Sequence, residues 1–157
     1  MNFEEFSQDN LVAIFNAVTA EMSEPIFLVD QALRIQYVNR SFVAYFKRDI
    51  GEIIEQPFGE ALGCGNRAND KRICSFTTYC GACEIRASLH HVLDKTIERA
   101  EFELVREFVI AGETLIRHFK IKISRLELNG LPYALCFMND LRETDQWRMI
   151  QDPDLSV

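Results

Sequence analysis

The sequence predicts an α+β fold, with a five-stranded antiparallel sheet, helices on one face of that sheet and an amphipathic helix at the N-terminus. Three observations predict this fold. The first apolar residues recur at steps of three and four, as in a helix. The last third of the chain alternates apolar and polar residues, as strands do. Asn129-Gly130 lies between two such runs and is typical of a two-residue hairpin turn. No linker or repeat divides the chain, so we expect one domain over residues 1–157.

The first helix is expected over residues 8–23, and it ends before Pro25 because proline cannot continue a helix. Five apolar residues share one face of this helix: Leu11, Ile14, Phe15, Val18 and Met22. This face is wider than a short flanking helix needs to sit on one surface. We therefore expect part of it to contact a second copy of the chain or a partner domain.

The core of the domain is expected over residues 25–140. It begins with a hairpin of two short strands, which is followed by a short helix capped by Asn39 or Ser41. A longer helix runs from Glu84 to about Lys95, and three antiparallel strands complete the core. The sequence therefore predicts a helical segment between two groups of strands.

The last of these strands, residues 131–138, is apolar throughout and is expected to be buried on both faces. Cys136 lies within it, so we expect this cysteine to be a small buried apolar residue and not a ligand. Residues 141–157 form a polar C-terminal tail.

Charge and hydropathy exclude two classes of partner. The chain has 157 residues, with 17 Lys and Arg against 24 Asp and Glu, for a net charge of −7. Its basic residues are scattered, whereas a nucleic-acid binder needs them clustered, so we expect no nucleic acid. The longest apolar run is far shorter than the roughly 20 residues of a membrane helix, and the N-terminus is acidic, unlike a secretory signal. We expect a cytoplasmic protein with no membrane partner.

No arrangement of residues indicates an enzyme. There is no glycine-rich phosphate loop and no Gly-x-Ser-x-Gly motif. Glu101, Glu103 and Glu107 follow the alternation of a strand, so they are expected on a solvated face of the sheet. The remaining possibility of catalysis is thiol–disulfide exchange at Cys80 and Cys83.

Four of the five cysteines lie in one polar segment, residues 63–83, with the spacing C-x9-C-x5-C-x2-C. Four thiolates complete a tetrahedral zinc site or hold a [4Fe–4S] cluster. Neighbouring cations could offset their charge: Arg67, Lys71, Arg72 and Arg86. The alternatives are a redox-active disulfide within the C-x-x-C pair, or cysteines that hold nothing. The candidate metal and cofactor ligands are Cys64, Cys74, Cys80 and Cys83.

The order of these elements resembles a PAS domain over about residues 5–145. The resemblance depends on the strand from Ile26 to Asp30, the segment Ile35-Gln36-Tyr37-Val38-Asn39-Arg40-Ser41-Phe42 and the ending Phe137-Met138-Asn139-Asp140-Leu141-Arg142-Glu143. In that ending, Leu141-Arg142 replaces the family's usual Ile-Thr. The resemblance implies a sensory and signalling role, with a homodimer, a partner PAS domain or a histidine-kinase-type signalling protein as partner.

Residues 56–64, together with the three later cysteines, are similar to a cysteine-bearing PAS subgroup found in bacterial sensor proteins. The pattern there is roughly R-P-G-E-A-L-G-C…C-G-x-x-x-x-C-x-x-C-G-A. Here Ser75 and Glu84 replace two of its glycines, which affects turn geometry more than ligand number. This resemblance implies that all four cysteines in the segment are shared with the subgroup.

The sequence therefore predicts a module that detects redox state or a gas through a cysteine-held metal centre. Spacing does not decide between a [4Fe–4S] cluster and zinc, and sensing favours the cluster because zinc has no redox chemistry. One alternative is an interaction domain with a structural zinc site or inert cysteines, and another is a thiol–disulfide switch at Cys80 and Cys83. Haem is not favoured: only one of the adjacent His90 and His91 could face a pocket, and we expect these residues to be solvated or capped histidines on the helix.

Overall fold

The computed structural model describes residues 8–64 and 83–141. The cysteines at 74 and 80 and nearly all of the predicted tail, residues 142–157, lie outside the described residues. The helices are α1 (Gln8–Thr19), α2 (Arg40–Phe46), α3 (Ile50–Ile53), α4 (Phe58–Leu62) and α5 (Glu84–Leu93). The strands are β1 (Ile26–Val29), β2 (Ile35–Val38), β3 (Arg99–Ile110), β4 (Glu113–Leu128) and β5 (Leu131–Asp140). No helix in the described ranges is long and apolar enough to cross a membrane.

The strands form one antiparallel sheet in the order β2-β1-β5-β4-β3, which confirms the predicted fold class. The last strand, β5, lies in the centre between β1 and β4. Asn129 and Gly130 both have positive φ at the β4–β5 turn, as the predicted two-residue hairpin requires.

One face of the sheet, here called the inner face, is covered by the helical segment from α2 to α5. Side chains on a strand alternate between faces, so every second residue of each strand points into this core. Its centre is a group of fully buried aromatic rings in successive contact, with centroids 4.6 to 6.2 Å apart: Phe27, Phe42, Phe46, Phe108 and Phe119. Helix α5 adds its own buried residues: Ile85, Leu89, Val92 and Leu93.

The opposite face, here called the outer face, is only partly covered. Helix α1 packs there through Phe15, whose ring centroid lies 5.0 Å from that of Tyr37, next to buried Leu28 and Leu128. The expectation that β5 is buried on both faces is therefore wrong. Ala134, Cys136 and Met138 on its inner side are fully buried, but its outer residues from Tyr133 to Phe137 remain partly exposed, because one short helix cannot cover the whole face.

Helix α1 ends at Thr19, four residues before the predicted end at residue 23. The helix ends early because residues of α2 contact the segment that follows it. Asn39, the N-cap of α2, donates from its amide to the carbonyl oxygen of Glu24 at 2.9 Å, and Ser41 Oγ donates to that of Met22 at 2.5 Å. These carbonyls are held by α2, so the chain before β1 leaves the helix and runs to the sheet.

The helical segment is anchored to β3 by a close backbone approach at Gly63. This residue follows α4 with φ of +69°, and its carbonyl accepts from the N–H of Val109 at 2.7 Å. A Cβ at this position would lie 2.2 Å from the carbonyl oxygen of Val109. Only glycine fits this contact, which places the next residue, Cys64, against β3.

Replacing Gly63 with alanine is expected to lower the free energy of unfolding by about 2 kcal/mol or more, since it combines left-handed backbone strain with a clash against backbone. Urea unfolding measures the change. The control is Gly130→Ala, at φ +78° with nothing within 4 Å of the added Cβ, which carries the backbone penalty alone, about 1 kcal/mol. Equal losses for the two variants would contradict the close approach.

Cys136 is expected to resist thiol reagents in the native chain. It is fully buried between β1 and β4, and burial raises the pKa of its thiol, while the thiolate is the reactive form. Mass-spectrometric mapping of labelled peptides, with and without urea, measures its protection separately from the other four cysteines. Native labelling as fast as labelling in urea would show that this strand is not in the core.

Candidate functional site

Cys64 lies where the helical segment meets β3. Helix α4 ends at Gly63, and the N–H of Cys64 donates back to the carbonyl of Gly59 at 2.9 Å. On its other side Cys64 forms an isolated antiparallel bridge with Phe108 of β3. The backbone is thus held from two directions, and the partly exposed thiol is fixed beside the inner face.

Cys83 begins α5. It is the N-cap residue, and its sulfur lies 3.5 Å from the N–H of Arg86, within reach of a weak hydrogen bond. The residue is buried. A helix N-terminus carries partial positive charge from its unpaired N–H groups, so this position suits a sulfur that bears negative charge.

Arg106 joins the two cysteines. It lies on the inner face of β3, and its Nη1 donates to the sulfur of Cys83 at 3.3 Å. Burial disfavours the charged guanidinium, but its hydrogen bond to Cys83 and its electrostatic interactions with Cys83 and Cys64 outweigh this effect, so the pKa of Arg106 is raised. Both cysteines therefore lie close enough to interact with one guanidinium.

The structure brings together two of the four predicted ligands, Cys64 and Cys83, which are well separated in sequence. The other two, Cys74 and Cys80, lie outside the described residues. Within residues 8–64 and 83–141, no group of three or more His, Cys, Asp or Glu could hold a metal ion. The described part of the site is a pair of thiols beside a cation, which can contribute two sulfur ligands to a soft metal.

Sequence reasoning missed Arg106 and looked to cations near the cysteines instead. A signal was present, because the inner row of β3 is otherwise apolar and Arg106 is its one charged member: Ala100, Phe102, Leu104, Arg106, Phe108 and Ile110. Of the cations first considered, Arg67, Lys71 and Arg72 lie outside the described residues, and Arg86 contributes its backbone N–H.

Other residues considered from the sequence lie apart from this site. His90 and His91 are exposed on α5. The carboxylates of β3 lie on the outer face, where Glu101 pairs with Lys120 at 2.9 Å and Glu103 with His118 at 3.0 Å. The prediction of a solvated face for them is confirmed.

Comparison with known proteins agrees with this architecture. Residues 13–79 match a family model described as a PAS domain. No curated protein sequence matches the chain.

Three solved structures have a similar fold. The PAS domain of BvgS from Bordetella pertussis has a TM-score of 0.62 at 17% identity, over 96% of this chain and 100% of that one. The PAS domain of nitrogen regulation protein NR(II) from Vibrio parahaemolyticus has a TM-score of 0.53 at 16% identity, over 79% and 94%. A PAS domain from a two-component sensor histidine kinase has a TM-score of 0.55 at 8% identity, over 85% and 99%.

At such identities these likenesses show a shared fold and nothing about ligands. Together with the match of residues 13–79 to the PAS-domain model, they show which fold α1 to β5 form. The chain has the PAS fold.

Proposed function

We propose that this chain is a sensory and signalling module, not an enzyme, that detects redox state or a gas through a metal centre and passes the signal by protein–protein contact. The proposed ligands are Cys64, Cys74, Cys80 and Cys83. The observation that carries the proposal is the convergence of Cys64 and Cys83 at the guanidinium of Arg106.

The chemistry around the two sulfurs suits a thiolate centre better than inert cysteines. Placing a guanidinium on the inner face carries a desolvation cost, which a nearby anion offsets. The guanidinium of Arg106 donates to the sulfur of Cys83. Two neutral thiols would compensate poorly, whereas thiolates gathered at a metal would carry the complementary negative charge.

When bound, a [4Fe–4S] cluster would supply a redox couple that responds to electrons or oxygen, which a zinc ion does not have. The chain's own residues would hold and tune it. Arg106 and the N–H of Arg86 direct hydrogen bonds at the sulfur of Cys83, and such bonds are one of the factors that set a cluster's potential. We favour the cluster for this reason and because the family is associated with sensing.

Two alternatives remain as proposals. A structural zinc ion would use the same ligands in an interaction domain. A thiol–disulfide switch would use Cys80 and Cys83, and the place of Cys83 at the start of α5 favours it, since reactive C-x-x-C pairs are activated at helix N-termini.

The position of the site suggests a route for the signal. Cys83 leads directly into α5, whose apolar residues pack on the inner face, while Cys64 is attached to β3. A change in the centre that favoured a different spacing of these two residues would move α5 against the sheet. The centre could shift the equilibrium between the two positions of α5 only to the extent that its affinity differs between them.

The proposed output is contact with a second copy, a partner PAS domain or a histidine-kinase-type protein. Helix α1 supports this, because its sheet contact uses Phe15 and the neighbouring Thr19, which lies 2.9 Å from the hydroxyl of Tyr37. Val18 remains 62% exposed and Met22, just beyond the helix, 40% exposed. An apolar strip is thus left available beside the intramolecular contact.

Anaerobically purified chain is expected to contain about one metal centre, measured as iron with sulfide or as zinc per chain. Cys64→Ser and Cys83→Ser should each abolish stoichiometric metal, and residues 63–83 should become protease-sensitive, because metal binding is coupled to folding. The matched control is Cys136→Ala, which removes a cysteine outside the proposed site and should retain the metal.

Iron with sulfide would support the cluster, and zinc the structural alternative. Absence of both metals would contradict a metal centre and leave the thiol–disulfide switch as the remaining proposal, which detection of a reversible disulfide would check.

Arg106→Gln should keep the metal but lower the reduction potential of an iron centre, since it removes positive charge beside the sulfurs. Arg106→Lys should restore part of the lost potential. An unchanged potential in Arg106→Gln would contradict the role given to this arginine.

Wild-type chain is expected to dimerise in sedimentation velocity, and Val18→Glu to shift it to monomer by placing a charge in the apolar strip. Val105→Glu is the control, since Val105 is equally exposed, at 63%, but lies on the outer face of β3. Phe15 is unsuitable because it packs on the chain's own sheet. A wild type that stays monomeric would contradict the homodimer, and dissociation by Val105→Glu alone would place the interface on the sheet.

A further inference from the structure

The side chains of Cys64 and Cys83 meet on the inner side of β3. Cys64 forms its antiparallel bridge with Phe108, and residues directly opposite each other in an antiparallel pair direct their side chains to the same face. Phe108 is buried on the inner face, so the side chain of Cys64 lies on that side too. The next inner residue along β3 is Arg106, two positions away.

Arg106 brings the second sulfur to this place. Its Nη1 donates to the sulfur of Cys83 at 3.3 Å, and its guanidinium also interacts with the side chain of Cys64. Two sulfurs that interact with one guanidinium lie near each other, although residues 65–82 separate them in the sequence. The fold therefore pairs these two cysteines across elements that are distant in the chain.

The two thiols are free in the structure and differ in exposure. Cys64 is partly exposed, whereas Cys83, at the N-cap of α5, is only 6% exposed. Redox-active pairs commonly combine an accessible sulfur, which is oxidised first, with a neighbouring sulfur that then reacts with it. The exposures assign the first role to Cys64 and the second to Cys83.

The charges around the pair favour reaction at sulfur. A thiol reacts as its thiolate, and the guanidinium of Arg106 attracts negative charge to both sulfurs. The N-terminus of α5 acts in the same direction at Cys83. The features that suit metal ligation therefore also suit sulfur oxidation when no metal occupies the cysteines.

We infer that Cys64 and Cys83 form a reversible disulfide when the metal-free chain meets a hydroperoxide. The inference deepens the proposed function and rests on it, because it names what the same cysteines do without a metal. It differs from the switch considered above, which joins Cys80 to Cys83 within one C-x-x-C pair. A bond between Cys64 and Cys83 ties the end of α4 to the start of α5.

The reaction balances with hydrogen peroxide as the oxidant. The thiolate of Cys64 attacks one peroxide oxygen, the O–O bond breaks, and a sulfenic acid forms while hydroxide leaves. The sulfur of Cys83 then attacks the sulfur of Cys64, which forms the S–S bond and expels the sulfenic oxygen as water. The two thiol protons and the peroxide together give two molecules of water, and the two electrons lost by the sulfurs reduce the peroxide.

The bond would act on α5. Disulfides require Cα atoms within about 7 Å of each other, and both sulfurs would exchange their contacts with Arg106 for contact with one another. The first turn of α5 would therefore move towards the backbone of Cys64, which is held to β3. Because the crosslink also restricts the unfolded chain, the oxidised domain should unfold at a higher urea concentration than the reduced one.

The test oxidises the full chain with a stoichiometric amount of hydrogen peroxide, after purification with EDTA and metal analysis to confirm that no metal is bound. The double variant Cys74→Ser/Cys80→Ser retains Cys64, Cys83 and the buried Cys136. We expect the loss of two free thiols per chain and a peptide pair joined through Cys64 and Cys83, which dithiothreitol separates. Adding Cys64→Ser should abolish the bond, and adding Cys136→Ala should leave it unchanged.

Wild-type chain, freed of metal and oxidised in the same way, should give the same linkage as its main product. Protection of Cys136 from N-ethylmaleimide shows that the oxidised chain is folded, since this residue is fully buried in the core. Should the double variant fail to protect Cys136, the linkage in the wild-type chain decides.

Three results would overturn the inference. They are free thiols at Cys64 and Cys83 after oxidation, a main product that joins Cys80 to Cys83 or links two chains, and a wild-type chain that unfolds whenever metal is removed. Metal analysis of the untreated chain is a separate measurement. Metal without this disulfide would contradict the inference alone, and the disulfide without metal would contradict the metal centre alone.

Discussion

Burial of the inner face of the sheet under α2 to α5 is the constraint on which the rest of this structure depends. Because side chains alternate along a strand, burial of this face determines which side chains of β3 and β4 are removed from solvent. Most of them are apolar and contact the cluster of aromatic rings. Three are arginines, and a charge on this face must be compensated. The carboxylate of Glu98 and the sulfur of Cys83 compensate two of them, and the third lines an open cavity.

The cysteine site follows from the same packing. Both Cys64 and Cys83 are placed by contacts of adjoining segments with the sheet. Cys64 lies against β3 because Gly63, which has no side chain, allows a close backbone contact with that strand. Cys83 lies near the same strand because the apolar residues of α5 pack on the sheet. The site thus lies between α5 and β3. That position suits a sensor, because a chemical change at the sulfurs would act directly on the packing of α5.

The two faces of the sheet divide the proposed roles. The inner face carries the cysteine site, with Arg106 and Arg117 directly opposite each other on neighbouring strands. The outer face carries α1 and the half-exposed surface of β5. Asn39 ties the two sides together at one corner. Its buried amide group accepts from the N–H groups of Ile26 and Phe42 and donates to the carbonyl of Glu24, which joins the α1–β1 connection to α2.

The sequence by itself determined the element order, the antiparallel sheet and the turn at Asn129-Gly130, and it narrowed the cap of α2 to Asn39 or Ser41, because these depend on periodicity and on local backbone chemistry. It also singled out the four cysteines by spacing, and the ligand role of all four stays a prediction. Only the tertiary structure decided where α1 ends and that Phe15 is used within the chain. It alone brought Arg106 to the sulfurs and left Arg117 facing a cavity. The physical reason is that these features depend on which atoms meet across elements distant in sequence, and a sequence pattern carries no measure of those distances.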